Sequence, residues 1–137
     1  MRIHIVGGPD SGKTTVAEDL ASSTGIPVFS LDEVAYRVQG TAVRPLEDRQ
    51  RIVREIASLK EWITEGVYLW WTDELLSAAD VVLWLDPRWR VAVWRIVVRH
   101  IRKSIAGSYA FSGVRQLLHF LRLARMYYMV ATPVRPA

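Results

Sequence analysis

The chain has 137 residues, half of them hydrophobic and 23% charged, which argues against disorder and for one domain with a real core. It contains no cysteine, so disulfides, thiolate metal sites and cysteine nucleophiles are excluded. The formal charge of +4 is unevenly spread: residues 1–86 carry eight Lys/Arg and all fourteen Asp/Glu, and residues 87–137 carry ten Lys/Arg and no acid. Such asymmetry calls for an anionic partner or a solvated basic face.

The chain opens on Ile3, Ile5 and Val6, a short β-branched run suited to a buried strand. GGPDSGKT follows at residues 7–14. Gly7, four residues, Gly12, Lys13 and Thr14 have the spacing of the phosphate-binding P-loop. Glycines allow a tight turn whose backbone N–H groups point at a phosphate, and the helix that follows adds its partial positive charge. Gly8, Pro9, Asp10, Ser11, Gly12, Lys13, Thr14 and Thr15 are therefore the candidate nucleotide-binding residues. Lys13 is expected to reach the β- and γ-phosphates of ATP, and Thr14 to ligate Mg²⁺. Val16, Ala17, Leu20 and Ala21 then recur at helical spacing.

Residues 28–31 predict a second strand, ending at Asp32-Glu33. Residues 45–60 predict a helix, with Leu46, Ile52, Val53, Ile56, Ala57 and Leu59 between charged positions. WITEGV at 62–67 predicts a third strand containing Glu65-Gly66. VVLWL at 81–85 predicts a fourth, apolar throughout as for a parallel strand covered on both faces. Asp86, just before Pro87, reads as a cap for the next helix. Strands alternating with helices predict a parallel sheet in a three-layer α/β domain spanning 1–137, with ligands beyond the carboxyl ends of the strands.

That placement selects two carboxylates. A P-loop needs an acid on an adjacent strand to orient Mg²⁺ or its waters, and Glu65 is the candidate. Phosphoryl transfer to a hydroxyl gains from a carboxylate that accepts its proton, and Asp32 is the candidate for that role or for acceptor binding. Trp70 and Trp71, just beyond, are candidate acceptor-site walls, whereas the other tryptophans suit the core.

Residues 88–104 predict a helix on which Arg88, Arg95, Arg99 and Arg102 fall within about 60° of one another. Arginine pairs bidentately with phosphate and stacks on purines, so Arg95 and Arg99 are candidate nucleotide contacts. Trp94, Val91, Val98 and Ile101 are expected on core-facing sides. A last helix over 114–130 has Arg115, His119 and Arg122 on one face and Leu117, Leu118, Phe120, Leu121 and Leu123 for packing. His119 has no metal-ligating partner at suitable spacing, and Tyr127 and Tyr128 suit an anchor for the terminus. No signal-peptide layout and no apolar run of membrane-spanning length are present, so a cytoplasmic protein without a membrane partner is expected.

GGPDSGKTT, WITEGVY and ADVVLWLDP followed by RIVVR resemble the adenylate-kinase-related P-loop kinases over about residues 1–130. The nearest resemblance is to a bacterial branch labelled DNA-topology-modulation or adenylate-kinase-like proteins. It implies an ATP- and Mg²⁺-dependent small-molecule kinase. Lys13 and Thr14 would handle phosphates and metal, and Glu65-Gly66 would organise magnesium and acceptor. Arg95 would stack near the adenine, and Arg99 would approach the phosphates from the lid side. Asp32 would face the acceptor, Arg37 would hold an anionic group on it, and Tyr68 of the EG-x-Y element joins them. Three departures stand out: Asp10 inside the loop where glycine is common, a lid reduced to IAGSYAFSG, and a Pro-interrupted VATPVRPA where a fifth strand is usual. The rival reading is an NTPase coupled to nucleic-acid binding through the basic C-terminal part, which steep salt dependence would reveal. The sequence leaves the acceptor and the oligomeric state open.

Overall fold

The computed structural model describes residues 1–37, 42–105 and 114–130, without the side chains of 103–105, 116, 127, 129 and 130. The lid at 106–113 and the tail at 131–137 lie outside the described residues. By contacts the chain divides into two compact units. One comprises residues 1–7 and 12–85, the other residues 8–11 and 86–137.

The first unit holds a four-stranded, all-parallel sheet. Its elements are β1 (Arg2–Gly7), α1 (Lys13–Thr24), β2 (Val28–Ser30), α2 (Leu31–Ala35), α3 (Leu46–Ala57), β3 (Trp62–Gly66), α4 (Asp73–Ala78) and β4 (Val81–Leu85). The strand order is β2-β3-β1-β4. Alternation along each strand separates the two faces. Ile3, Ile5 and Ile63 pack with Ala17 of α1 on one face, joined by Val16, Leu20 and Ala21 as the helical spacing predicts. Trp62 packs on the other face with Leu31, Val34, Val53, Ile56, Trp71 and Leu75 from α2, α3, α4 and the loop before α4. Helices therefore cover both faces, giving the expected three layers. Trp62 is wholly buried, and a side chain of that size contributes about 3–5 kcal/mol relative to alanine.

Three sequence expectations change here. The second strand ends at Ser30, and Leu31 opens a short helix instead. Trp71 is 2% exposed and belongs to the core, so it is no wall of an acceptor site; Trp70, 70% exposed, remains available. The fourth strand is not covered on both faces. Among the described residues it lies at the sheet edge beside β1, where Leu83 and Leu85 pack toward α1 while Val81, Val82 and Trp84 are 40%, 47% and 49% exposed. An apolar run looks the same in a central and an edge strand, and only the strand order separates them.

The second unit consists of the loop residues Gly8–Ser11 with α5 (Trp89–Ile105) and α6 (Val114–Val130). Helix α5 begins three residues beyond Asp86. Its inward positions are Ala92 and Ile96, one turn apart, and those of α6 are Ala124 and Tyr128. Val91, Trp94 and Ile101, expected in a core, are exposed, as are Leu118 and Leu123. The packed side of α5 is instead that of Ala92 and Ile96. No described helix is long and apolar enough to cross a membrane.

Candidate active site

In the first unit the strand exits converge on one carboxylate. Gly12 precedes α1 at φ 97°, a left-handed conformation that glycine adopts without steric cost, and Lys13 starts the helix. Lys13 is 8% exposed and Thr14 is exposed. On β3, Glu65 is 6% exposed and shares a face with Ile63, the α1 side. The parallel register sets it between Ile5 of β1 and Ser30 of β2. Ser30 Oγ donates to Glu65 Oε1 at 2.9 Å.

Burial pushes the Glu65 carboxyl above the ordinary carboxylate range, and the charge of Asp32 adds to that. The Ser30 hydrogen bond, the charge of Lys13 and a hydrogen bond to the Thr14 hydroxyl pull it back. Lys13, Thr14, Ser30 and Asp32 thus all lie close enough to Glu65 to influence its charge. The next residue, Gly66, is fixed by packing, since a Cβ there would lie 2.8 Å from Leu31 Cβ.

Asp32 lies in the first turn of α2 and is exposed. It accepts a hydrogen bond from the Tyr68 hydroxyl at 2.9 Å. Burial first, then the Asp32 charge and hydrogen bond, raise the Tyr68 ionisation above its usual value, so the phenol stays a donor. Tyr68 packs against Trp70 and Trp71 with ring centroids 5.7 and 5.0 Å away. Arg37, expected to hold an anion, lies 3.4 Å from Asp48 in an exposed ion pair. Thr14 and Glu65 are oxygen donors of the kind Mg²⁺ takes, so the residues fit the metal that the P-loop implies.

In the second unit, three consecutive loop residues are each met by a helix side chain. Tyr128 OH donates to the Pro9 carbonyl at 3.1 Å, and its ring lies 5.5 Å from that of Trp89. Arg99 Nη2 lies 2.9 Å from Asp10 Oδ2, and Arg95 Nη1 donates to the Ser11 carbonyl at 3.0 Å. The Arg99 guanidinium also stands 5.8 Å over the Phe120 ring. Arg95 and Arg99, expected at the nucleotide, contact the loop itself, through the carbonyl of Ser11 and the carboxylate of Asp10. Arg88 and Arg102 stay exposed.

Sequence reasoning missed Ser30 and the Asp32–Tyr68 bond. The signal was faint: a serine directly before Leu31-Asp32 is one strand away from Glu65 only once the register is known.

No family model matches the sequence. A 70-residue stretch, 49% of this chain, is 37% identical to adenylate dimethylallyltransferases of Agrobacterium fabrum and Agrobacterium tumefaciens, and it spans 29% of their length. Among solved structures, a shikimate kinase from Aquifex aeolicus matches 94% of this chain and 81% of its own, at TM-score 0.53 and 19% identity. A gluconokinase from Sinorhizobium meliloti matches 90% of this chain and 73% of its own, at 0.55 and 20%. An uncharacterized protein from Eubacterium ventriosum matches 94% and 78%, at 0.57 and 20%. The chain has the α/β fold of the P-loop small-molecule kinases.

Proposed function

We propose that the chain works as one kinase-like domain that transfers the γ-phosphoryl group of ATP to a hydroxyl of a small molecule. The observation that carries this reading is the convergence of Lys13, Thr14, Ser30 and Asp32 on the buried Glu65 beyond the sheet. A merely structural carboxylate gains nothing from a P-loop lysine, a P-loop threonine and a second acid.

In this mechanism residues 8–15 hold the phosphates with backbone N–H groups, and Lys13 meets the β- and γ-phosphates. Mg²⁺, when bound, would supply positive charge against that developing during transfer. Thr14 would ligate it directly, and Glu65 would complete or orient its shell. Asp32 takes the proton of the attacking hydroxyl on a carboxylate oxygen, while Tyr68 holds that carboxylate in one orientation. The acceptor oxygen–phosphorus bond forms as the bond from phosphorus to the ADP oxygen breaks. Arg99 and Arg95 contribute positive charge from the helix side.

The acceptor classes are nucleotides, nucleosides and small hydroxy or sugar acids. Shikimate and gluconate enter through the structural neighbours, and an adenylate enters through the partial sequence match. The test is ADP release from Mg·ATP over a panel of these acceptors, with Lys13→Ala as control. Release that depends on one acceptor and vanishes in Lys13→Ala supports the kinase. Slow release indifferent to every acceptor refutes it.

A further inference from the structure

Asp10 is the one non-glycine residue with positive φ among the described residues, at 56°. Aspartate tolerates this left-handed conformation better than most residues, but at a cost that glycine avoids. The side chain so displayed is 10% exposed and makes its ion pair with Arg99 at 2.9 Å. Arg99 itself is 51% exposed and rests on Phe120, so its guanidinium is held in place yet open on one side.

A carboxylate and a phosphate present the same paired oxygens to a guanidinium. Within a loop built for phosphates, Asp10 therefore offers Arg99 an internal version of the ligand. We propose that Asp10 is a positioning residue that acts through Arg99. Without nucleotide it keeps the guanidinium at the loop, and with nucleotide it yields Arg99 to a phosphate oxygen. This rests on the ATP-binding reading above and adds a competition to it. The carboxylate and the phosphate contend for one arginine, so the affinity for ATP is set below what the loop alone would give.

The experiment is Mg·ATP binding by titration calorimetry, with the KM for ATP and kcat from ADP release. The proteins are wild type, Asp10→Asn, Asp10→Gly, Arg99→Ala, Asp10→Asn/Arg99→Ala and Lys13→Ala. Asparagine keeps tolerance of the left-handed backbone while removing the charge, and glycine adopts φ 56° freely, so both variants should fold. The expected result is ATP binding at least threefold tighter in Asp10→Asn and Asp10→Gly, with KM changing more than kcat. Arg99→Ala should weaken binding at least tenfold, and adding Asp10→Asn should give no further tightening, because the arginine it would release is gone. A tie that merely staples the helix to the loop would give weaker binding and a lower melting temperature in Asp10→Asn. Unchanged or weaker binding in Asp10→Asn, while Lys13→Ala still abolishes binding, overturns the competition and leaves the kinase reading standing. Binding by Asp10→Asn but not by wild type supports the competition. Absence of ATP binding in every protein overturns both.

Discussion

Strands β1 and β3 bury one ionisable side chain on each face of the sheet, Glu65 toward α1 and His4 toward α2–α4. Burial pushes both toward their neutral forms, raising the Glu65 carboxyl and lowering the His4 imidazole to about 4. Their company differs. Glu65 meets Ser30, Lys13 and Thr14, all of which favour its charged form, whereas the contact that His4 makes is Nδ1 with Thr64 Oγ1 at 2.7 Å. Around Glu65, three groups oppose the effect of burial and one, Asp32, adds to it. His4 is kept neutral by burial, with the Thr64 hydroxyl at hydrogen-bond distance, as suits a packing residue. Depth of burial alone does not separate the two roles.

The comparison breaks first at Lys13. Lys13→Ala removes the charge proposed to meet the nucleotide, which is also one that holds the Glu65 carboxyl down. Turnover should fall about 10³-fold, or about 4 kcal/mol of transition-state stabilisation, as ADP release would show. Glu65 should also titrate at higher pH in this variant, visible in the carboxyl resonances of a ¹³C-labelled sample. A Glu65 titration that does not move would mean that the two groups do not share a site.

His4 should show its role in stability. A histidine held low in the fold contributes stability that is intact above its ordinary value of 6.5 and is lost as pH falls toward about 4. The loss across that range should be about 3 kcal/mol by proton linkage. Urea unfolding of wild type and His4→Gln between pH 7.5 and 4 measures it. Glutamine cannot take up a proton, so the two curves should converge on the acid side. Parallel curves would refute the neutral-histidine account.

Glu65 should give the opposite pattern, with stability set against activity. A carboxyl raised in the fold contributes stability below its ordinary value of 4.5 and loses it as pH rises through the folded value. At neutral pH Glu65 therefore costs stability in the nucleotide-free protein. Glu65→Gln should melt higher than wild type at pH 7.5, with the gain vanishing near pH 4, and turn over about 10²-fold more slowly. A variant that melts lower at pH 7.5 would place Glu65 with His4 among the packing residues.

The acid side of this contrast was legible in the sequence while His4 drew no reading there, and the limits have physical causes. The P-loop spacing, the four apolar runs and the acids at their ends follow from local chemistry, so Lys13, Asp32 and Glu65 emerged together. The partners of Glu65 depend on strand register, which no local pattern encodes, and Ser30 was missed for that reason. The edge position of β4 depends on strand order, and VVLWL gave no sign of it. On α5, Trp94 and Val91 outweighed Ala92 in apolar bulk, yet close packing favoured the small residue. Asp10 stood out as a departure from the loop pattern, but its partner Arg99 comes from a helix far along the chain.

The mildest test concerns Tyr68, beside the proposed acceptor end of the site. Its hydroxyl gives one hydrogen bond to an exposed carboxylate, while its ring packs between Trp70 and Trp71. Tyr68→Phe keeps the ring and removes only the donor, and Asp32, being exposed, regains a bond from water. Stability should therefore change little, since a single exposed hydrogen bond is worth about 1 kcal/mol or less. Orientation is what Asp32 loses, and a general base that rotates freely spends less time aimed at the acceptor hydroxyl. We expect kcat/KM for the acceptor to fall about tenfold, with Asp32→Asn falling further because it cannot take the proton. If Tyr68→Phe matched wild type while Asp32→Asn lost activity, Asp32 would act without its tyrosine. If neither changed turnover, the proton acceptor would have to lie elsewhere, and Glu65, with its raised carboxyl, would be the next residue to test in that role.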